Sequence, residues 1–122
     1  MKGQDIYILA SAILWEGDNE DTDSKKFTVQ FLNQLLPEAL GAENSLRRRE
    51  GAAELDAAPV VTGLEQELPY HAKLCRTALV YGLCWHYFEN LQNTYQSELY
   101  RNLFVSSLEE NTVGVWEGLC GM

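Results

Sequence analysis

Positive charge is scarce in this sequence. Nine Lys and Arg stand against 18 Asp and Glu, leaving the 122-residue chain at −9. Nonspecific nucleic-acid affinity comes mainly from cations that neutralise phosphates, so this balance argues against a free-standing DNA or RNA binder. It also disfavours adhesion to an anionic membrane. Long apolar runs are missing too. The uncharged stretch Thr77 to Phe88 falls well short of the roughly 20 apolar residues a bilayer requires. The apolar run Ile6 to Trp15 has neither a basic flank nor a small-residue cleavage site, and acids follow it directly. The expectation is a soluble, unexported protein. The cysteines Cys75, Cys84 and Cys120 cannot all pair within one chain and no CxxC occurs, which fits reduced thiols in a cytosol. With no GxxxxGK[ST], GxGxxG or HExxH, the motif-bearing nucleotide and zinc-protease classes gain no support.

What is present is enough apolar material, 46% of residues, for one domain with a real core. Residues 4–15 place Ile6, Leu9, Ala10, Ile13 and Leu14 at helical spacing, which predicts a short first helix. The acidic stretch "EGDNEDTD" then stops it. Those acids do not match the ligand order of an EF-hand loop, so they read as a solvated loop whose Asp23 or Ser24 caps the next helix. A second helix is expected over 25–40, with Phe27, Phe31, Leu32, Leu35 and Leu36 inward, Pro37 disturbing its last turn and Gly41 ending it. From 42 to 67 the periodicity breaks, and Gly51, Pro59 and Gly63 mark a long excursion with short extended pieces near 53–55 and 59–62.

A third helix is expected from Pro69, a residue suited to a first turn. It carries one stripe of Leu74, Ala78, Tyr81, Trp85 and Phe88, and a second of Cys75, Leu79, Leu83 and His86. A helix apolar around most of its girth must be covered on more than one side. Gly82 in its middle costs about 1 kcal/mol against Ala and points to close approach of another backbone. The last helix should span 93–110 with Tyr95, Leu99, Leu103 and Leu108 inward, Tyr100 and Phe104 beside them, before an apolar tail, 113–122. The fold class is thus mostly α: about four helices in one small bundle-like domain over 1–112, with a long irregular or short-β excursion between helices 2 and 3.

Three groups of residues could carry chemistry. His71 and Cys75 share a helix face at i and i+4, yet two ligands do not make a tetrahedral zinc site. They also offer a Cys-His nucleophile pair near Glu67, without the glycine-rich oxyanion segment such a pair needs. Arg47, Arg48 and Arg49 read either as a solvated patch balanced by Glu43, Glu50 and Glu54 or as a contact for a phosphate backbone or an acidic partner.

The order of features resembles the small head-tail connector proteins of tailed bacteriophages and prophages, the adaptor or head-completion family. The likeness covers about residues 3–110. It is carried by "FTVQFLNQLLPEAL" with Asn33, by the arginine-bearing "NSLRRREG", and by "ELPY" followed by "ALVYGLCWHYF". Val80 stands where that family often has proline, and a bulky aromatic run follows Gly82 where small residues are common. The resemblance implies a structural protein of the virion neck, or one residing in the bacterial cytoplasm before assembly. It would form a homo-oligomeric ring beneath the portal, meet portal and tail-side proteins, and continue the DNA channel with transient DNA contact. It implies no catalytic residue, cofactor or metal. Tyr81, Gly82, Trp85, Phe88 and Trp116 are then candidates for the subunit interface, and Arg47, Arg48 and Arg49 for portal or DNA contact. The alternative is a small helical thiol-dependent enzyme or ligand-binding module using Cys75 and His71.

Overall fold

The apolar periodicities resolve into α1 (Gly3–Leu14), α2 (Thr22–Glu50), α3 (residues 72–90) and α4 (Thr94–Cys120). The structure is a computed structural model that describes residues 1–14 and 22–120, with side chains at 1–14 and 25–111. Residues 15–21 of the acidic segment, the side chain of Trp116 and the packing of the apolar tail lie outside the described residues; α2 begins at Thr22, ahead of the expected start at Lys25, so Asp23 and Ser24 fall in its first turn and not at its cap. Among the described residues no strand forms; a lone antiparallel bridge joins Lys2 and Glu67. The domain is therefore mostly α, four helices with a long irregular excursion between the second and third.

α2 departs most from expectation. It runs through Pro37 and Gly41 to Glu50, and the excursion shrinks to residues 51–71. Pro37 and Gly41 both sit on the exposed side, where a missing N–H or side chain matters least. Meanwhile the inner line of Leu32, Leu35, Leu36, Ala39, Ala42 and Leu46 stays buried without a break. Burying a leucine is worth about 1.5–3 kcal/mol, so continued packing outweighs the cost of about 1 kcal/mol for a helical glycine. The helix ends at Gly51, whose φ of 73° permits the closing turn. There Gly51 N–H donates to Arg48 O (3.1 Å) and Ala52 N–H to Arg47 O (2.8 Å).

α3 starts at Ala72, three residues later than expected, with Pro69 left in the loop. After Ala72–Leu74 it widens into a π turn at Cys75–Leu79 and continues as Val80–Asn90. One extra residue in the turn re-phases the helix, so Leu74, Cys75, Ala78, Leu79 and Val80 are all buried before the regular helix buries Leu83 and Cys84. A turn with Gln92 at φ 60° leads into α4. Asn93 opens α4, its side-chain oxygen accepting from Gln96 N–H at 3.2 Å. α4 then passes the expected end at Glu110 and reaches Cys120.

α1, α2 and α4 all pack on α3, which is the axis of the core. The faces turned inward differ from those read off the sequence. α1 buries Gly3, Ile6, Tyr7, Ala10 and Ser11, leaving Leu9 and Ile13 exposed beside Ile8. α4 buries Ser97, Phe104, Ser107 and Asn111, leaving Tyr95, Leu99 and Leu103 outside. Phe27, expected inward on α2, is exposed too.

Candidate functional site

The polar side chains that suggested chemistry converge on one feature, the attachment of the 51–71 excursion to α2. Asn33 and Asn44 lie on one face of α2, since eleven residues make almost a whole number of turns. Each amide pairs with both polar groups of one loop residue. Asn44 accepts from Leu55 N–H (2.8 Å) and donates to Leu55 O (3.1 Å). Asn33 accepts from Val61 N–H (2.7 Å) and donates to Val61 O (2.9 Å). An amide used this way replaces the neighbouring strand, satisfying an extended backbone where no sheet exists. The two residues so held lie in the segments expected to be extended.

Glu43 anchors the far end of the loop. Its carboxylate is fully buried and accepts from Arg47 Nε–H (2.6 Å) and from the backbone N–H of His71 (2.8 Å). The His71 ring completes the set: Nδ1 is 2.9 Å from Glu43 and Nε2 is 2.7 Å from Glu50. With a carboxylate at each nitrogen, the imidazolium is the form that donates to both. Arg47 also donates to Ala53 O (3.1 Å) and Pro69 O (2.6 Å), joining the two ends of the excursion. Tyr70, beside it, donates its hydroxyl to Leu36 O at 2.6 Å, and burial pushes the phenol's pKa up.

This arrangement places the sequence candidates. Arg47 is consumed in the latch, Arg49 donates to Asn111 O of α4 (2.9 Å), and Arg48 pairs with Glu54 (2.7 Å) while half of its side chain stays exposed. Cys75 is fully buried with its thiol aimed at Tyr70 O (3.8 Å), and burial is the main cause pushing its pKa up to about 11. Cys84 is buried as well, its thiol pushed up to about 12. An activated nucleophile needs the opposite shift, and the base offered to it, His71, is held by two glutamates. Among the described residues no three His, Cys, Asp or Glu side chains converge as a metal site would require.

The interface candidates on α3 face their own chain. Gly82 lies against Leu35 of α2, and a Cβ built on it would come within 2.6 Å of a Leu35 methyl. The space kept by this glycine is filled by a side chain of its own chain, and not by another backbone as its position suggested. Tyr81 and Phe88 both pack on Tyr100 of α4, at ring distances of 6.4 and 5.6 Å. Trp85 lies 5.7 Å from Phe104, with the Arg101 guanidinium 6.0 Å above its ring. The all-round apolar girth of α3 is thus absorbed by α1, α2 and α4, and does not of itself demand a second copy.

No family model, curated protein or solved structure matches the chain. Geometry and the sequence pattern carry the functional reading. Sequence reasoning took Glu43 for a solvated balancing charge where the structure buries it, and it missed Asn44 and the outward faces of α1 and α4. The spacing of Glu43 four residues before Arg47 was a visible signal of the ion pair. No helix among the described residues is long and apolar enough to cross a membrane.

The two histidines set opposing pH limits on stability. His71 is raised above its ordinary value, first by its hydrogen bond to Glu43 and then by Glu50, against the effect of burial. Its contribution is complete below the unfolded value of about 6.5 and disappears as pH rises through the folded value. His86 is stacked between Phe31 (5.1 Å) and Trp85 (4.3 Å) with Nε2 buried and unpartnered. Burial lowers its pKa, with Glu89 and Glu38 opposing. Its contribution is complete above about 6.5 and is lost as pH falls through the folded value. Urea midpoints measured across pH should peak near neutrality. His86→Phe should flatten the acid limb and leave the alkaline limb, and an unchanged acid limb would refute this assignment.

Proposed function

We propose that the chain is a structural assembly subunit of a phage or prophage neck, joining copies of itself into a ring beneath the portal and continuing the DNA channel. The observation that carries this reading is a pair of separate apolar faces turned outward. On α1, Ile8, Leu9 and Ile13 are 54%, 39% and 44% exposed; on α4, Tyr95, Leu99 and Leu103 are 76%, 42% and 36% exposed. Both helices lean on α3, and among the described residues there is no extensive contact between them. Two unlike sticky faces on one subunit are what a head-to-tail contact that closes a ring requires.

Other features support it. The mostly helical fold is the one implied by the resemblance to head-tail connectors. The polar side chains that might have served catalysis are engaged in holding the loop. The net charge of −9 lets DNA pass a lumen without adhering. Portal or DNA contact falls chiefly to Arg48, because Arg47 and Arg49 are bound to backbone carbonyls within the chain. Deleting the gene from an inducible prophage should yield DNA-filled heads and separate tails, with joining restored by the gene supplied in trans. Normal tailed particles from the deletion strain would overturn the reading.

A further inference from the structure

α1 and the first turns of α3 border an open groove of about 630 Å³, lined by Met1, Asp5, Ile8, Leu9 and Arg76. Its floor is apolar. Its α3 edge carries the exposed Arg76, and its α1 side carries the exposed Asp5. With a cation on one side and an acid on the other, the groove suits an apolar occupant whose own acids lie on one edge, turned toward Arg76 and away from Asp5.

The same chain supplies such an occupant. At 100° per residue, Tyr95, Leu99 and Leu103 form a line turned roughly 120° from the core line of Tyr100, Phe104, Ser107 and Asn111. Glu110 continues that line two turns beyond Leu103, and Glu98 flanks Tyr95; both are exposed. The line is an apolar ridge with acids beside it, and the groove is an apolar trough with Arg76 on one edge and Asp5 on the other. They lie on helices that both pack on α3 and, among the described residues, make no broad contact with each other, so one copy leaves each available to another.

We propose that the Tyr95–Leu99–Leu103 ridge of one copy seats in the Ile8–Leu9–Arg76 groove of a second copy, with the acids of α4 turned toward Arg76 of α3. This pairing rests on the assembly reading above and names its two halves. The contact is heterologous: each copy offers one ridge and one groove, and the chain of contacts propagates until it closes.

Sedimentation of purified full-length protein tests it. Wild type should assemble with rising concentration. Ile8→Glu spoils the groove and Leu99→Glu spoils the ridge; both positions are exposed, so helicity by circular dichroism should be unchanged. Each variant alone should remain monomeric. Mixed one to one, they should form a pair that grows no further, because the intact ridge of one meets the intact groove of the other. A second arm uses charge: Arg76→Glu should weaken association by more than about tenfold, and adding Glu110→Arg should restore it. Wild-type assembly that neither Ile8→Glu nor Leu99→Glu disturbs overturns this pairing and leaves the ring reading standing. Loss in only one variant, or a mixture that fails to pair, also overturns it. A wild type that stays monomeric at every concentration removes both.

Discussion

Replacing Glu43 with alanine should lower the unfolding free energy by about 3–5 kcal/mol, the range expected when one partner of a buried charge network is removed. The carboxylate is fully buried and receives three donors, Arg47 Nε–H, His71 N–H and His71 Nδ1–H. Alanine leaves these donors around an empty space, and two of their residues are mostly covered, with side-chain exposures of 21% for Arg47 and 26% for His71. Glu43→Gln should cost less, since it keeps the volume and one accepting oxygen, but its amide N–H₂ turns toward groups that are themselves donors. Arg48→Ala is the control. Its partner Glu54 and the arginine are both about half exposed, and such a pair is worth about 0–1 kcal/mol. Urea unfolding of the three variants gives the ranking. Limited proteolysis should cut the Glu43→Ala chain first within 51–71, because the latch and the two asparagine clamps fix that segment. A Glu43→Ala midpoint equal to that of Arg48→Ala would show that the network does not hold the excursion.

That network also marks where the sequence ceased to be legible. The four helices and their order could be read because strong 3.6-residue periodicity survives small errors of phase. The end of α2 could not, because beyond Leu36 its buried face thins to Ala39, Ala42 and Leu46 with the polar Glu43 and Ser45 among them. A pattern search counts apolar residues and takes such a change as the helix ending. In fact the apolar line goes on through the smaller Ala39 and Ala42 to Leu46, and the polar groups paired with the loop add to that packing. The misassigned faces of α1 and α4 have the same origin. α1 turns Gly3, Ala10 and Ser11 inward because small residues let helices approach closely, and α4 buries Ser97, Ser107 and Asn111. Each helix carries a second, larger apolar line, and size alone selects the wrong one. That surplus is informative in itself: apolar side chains kept in register on an outer face argue for contact with another surface. Asn33 was picked out by the resemblance alone, and its clamp on Val61 supplies the physical reason for an asparagine there.

Gly82 offers the other large effect, and one whose sign depends on a single neighbour. In an open helix, Gly→Ala stabilises by about 1 kcal/mol through backbone entropy. Here the new Cβ would stand 2.6 and 2.8 Å from the two methyls of Leu35, which is itself fully buried and has little room to turn. Overpacking of this kind costs about 1–3 kcal/mol, so Gly82→Ala should be destabilising on balance. Gly82→Val adds two more methyl groups at the same point and should cost more than 3 kcal/mol, roughly the upper end of that range. The decisive measurement is a double-mutant cycle. Leu35→Ala alone should cost about 2–5 kcal/mol by opening a cavity. In that background Gly82→Ala should become stabilising, since its methyl then enters vacated space and the helix gain is no longer opposed. The coupling between the two sites should be about 2 kcal/mol, within the span seen for residues in contact. Additive effects would mean that α2 and α3 do not meet at this point, and the core would then need another arrangement around α3. The same cycle bears on assembly, because a glycine whose neighbour is Leu35 of its own chain is set by the fold of one copy. Sedimentation of the Leu35→Ala, Gly82→Ala double variant should therefore follow wild type, while Leu99→Glu should not.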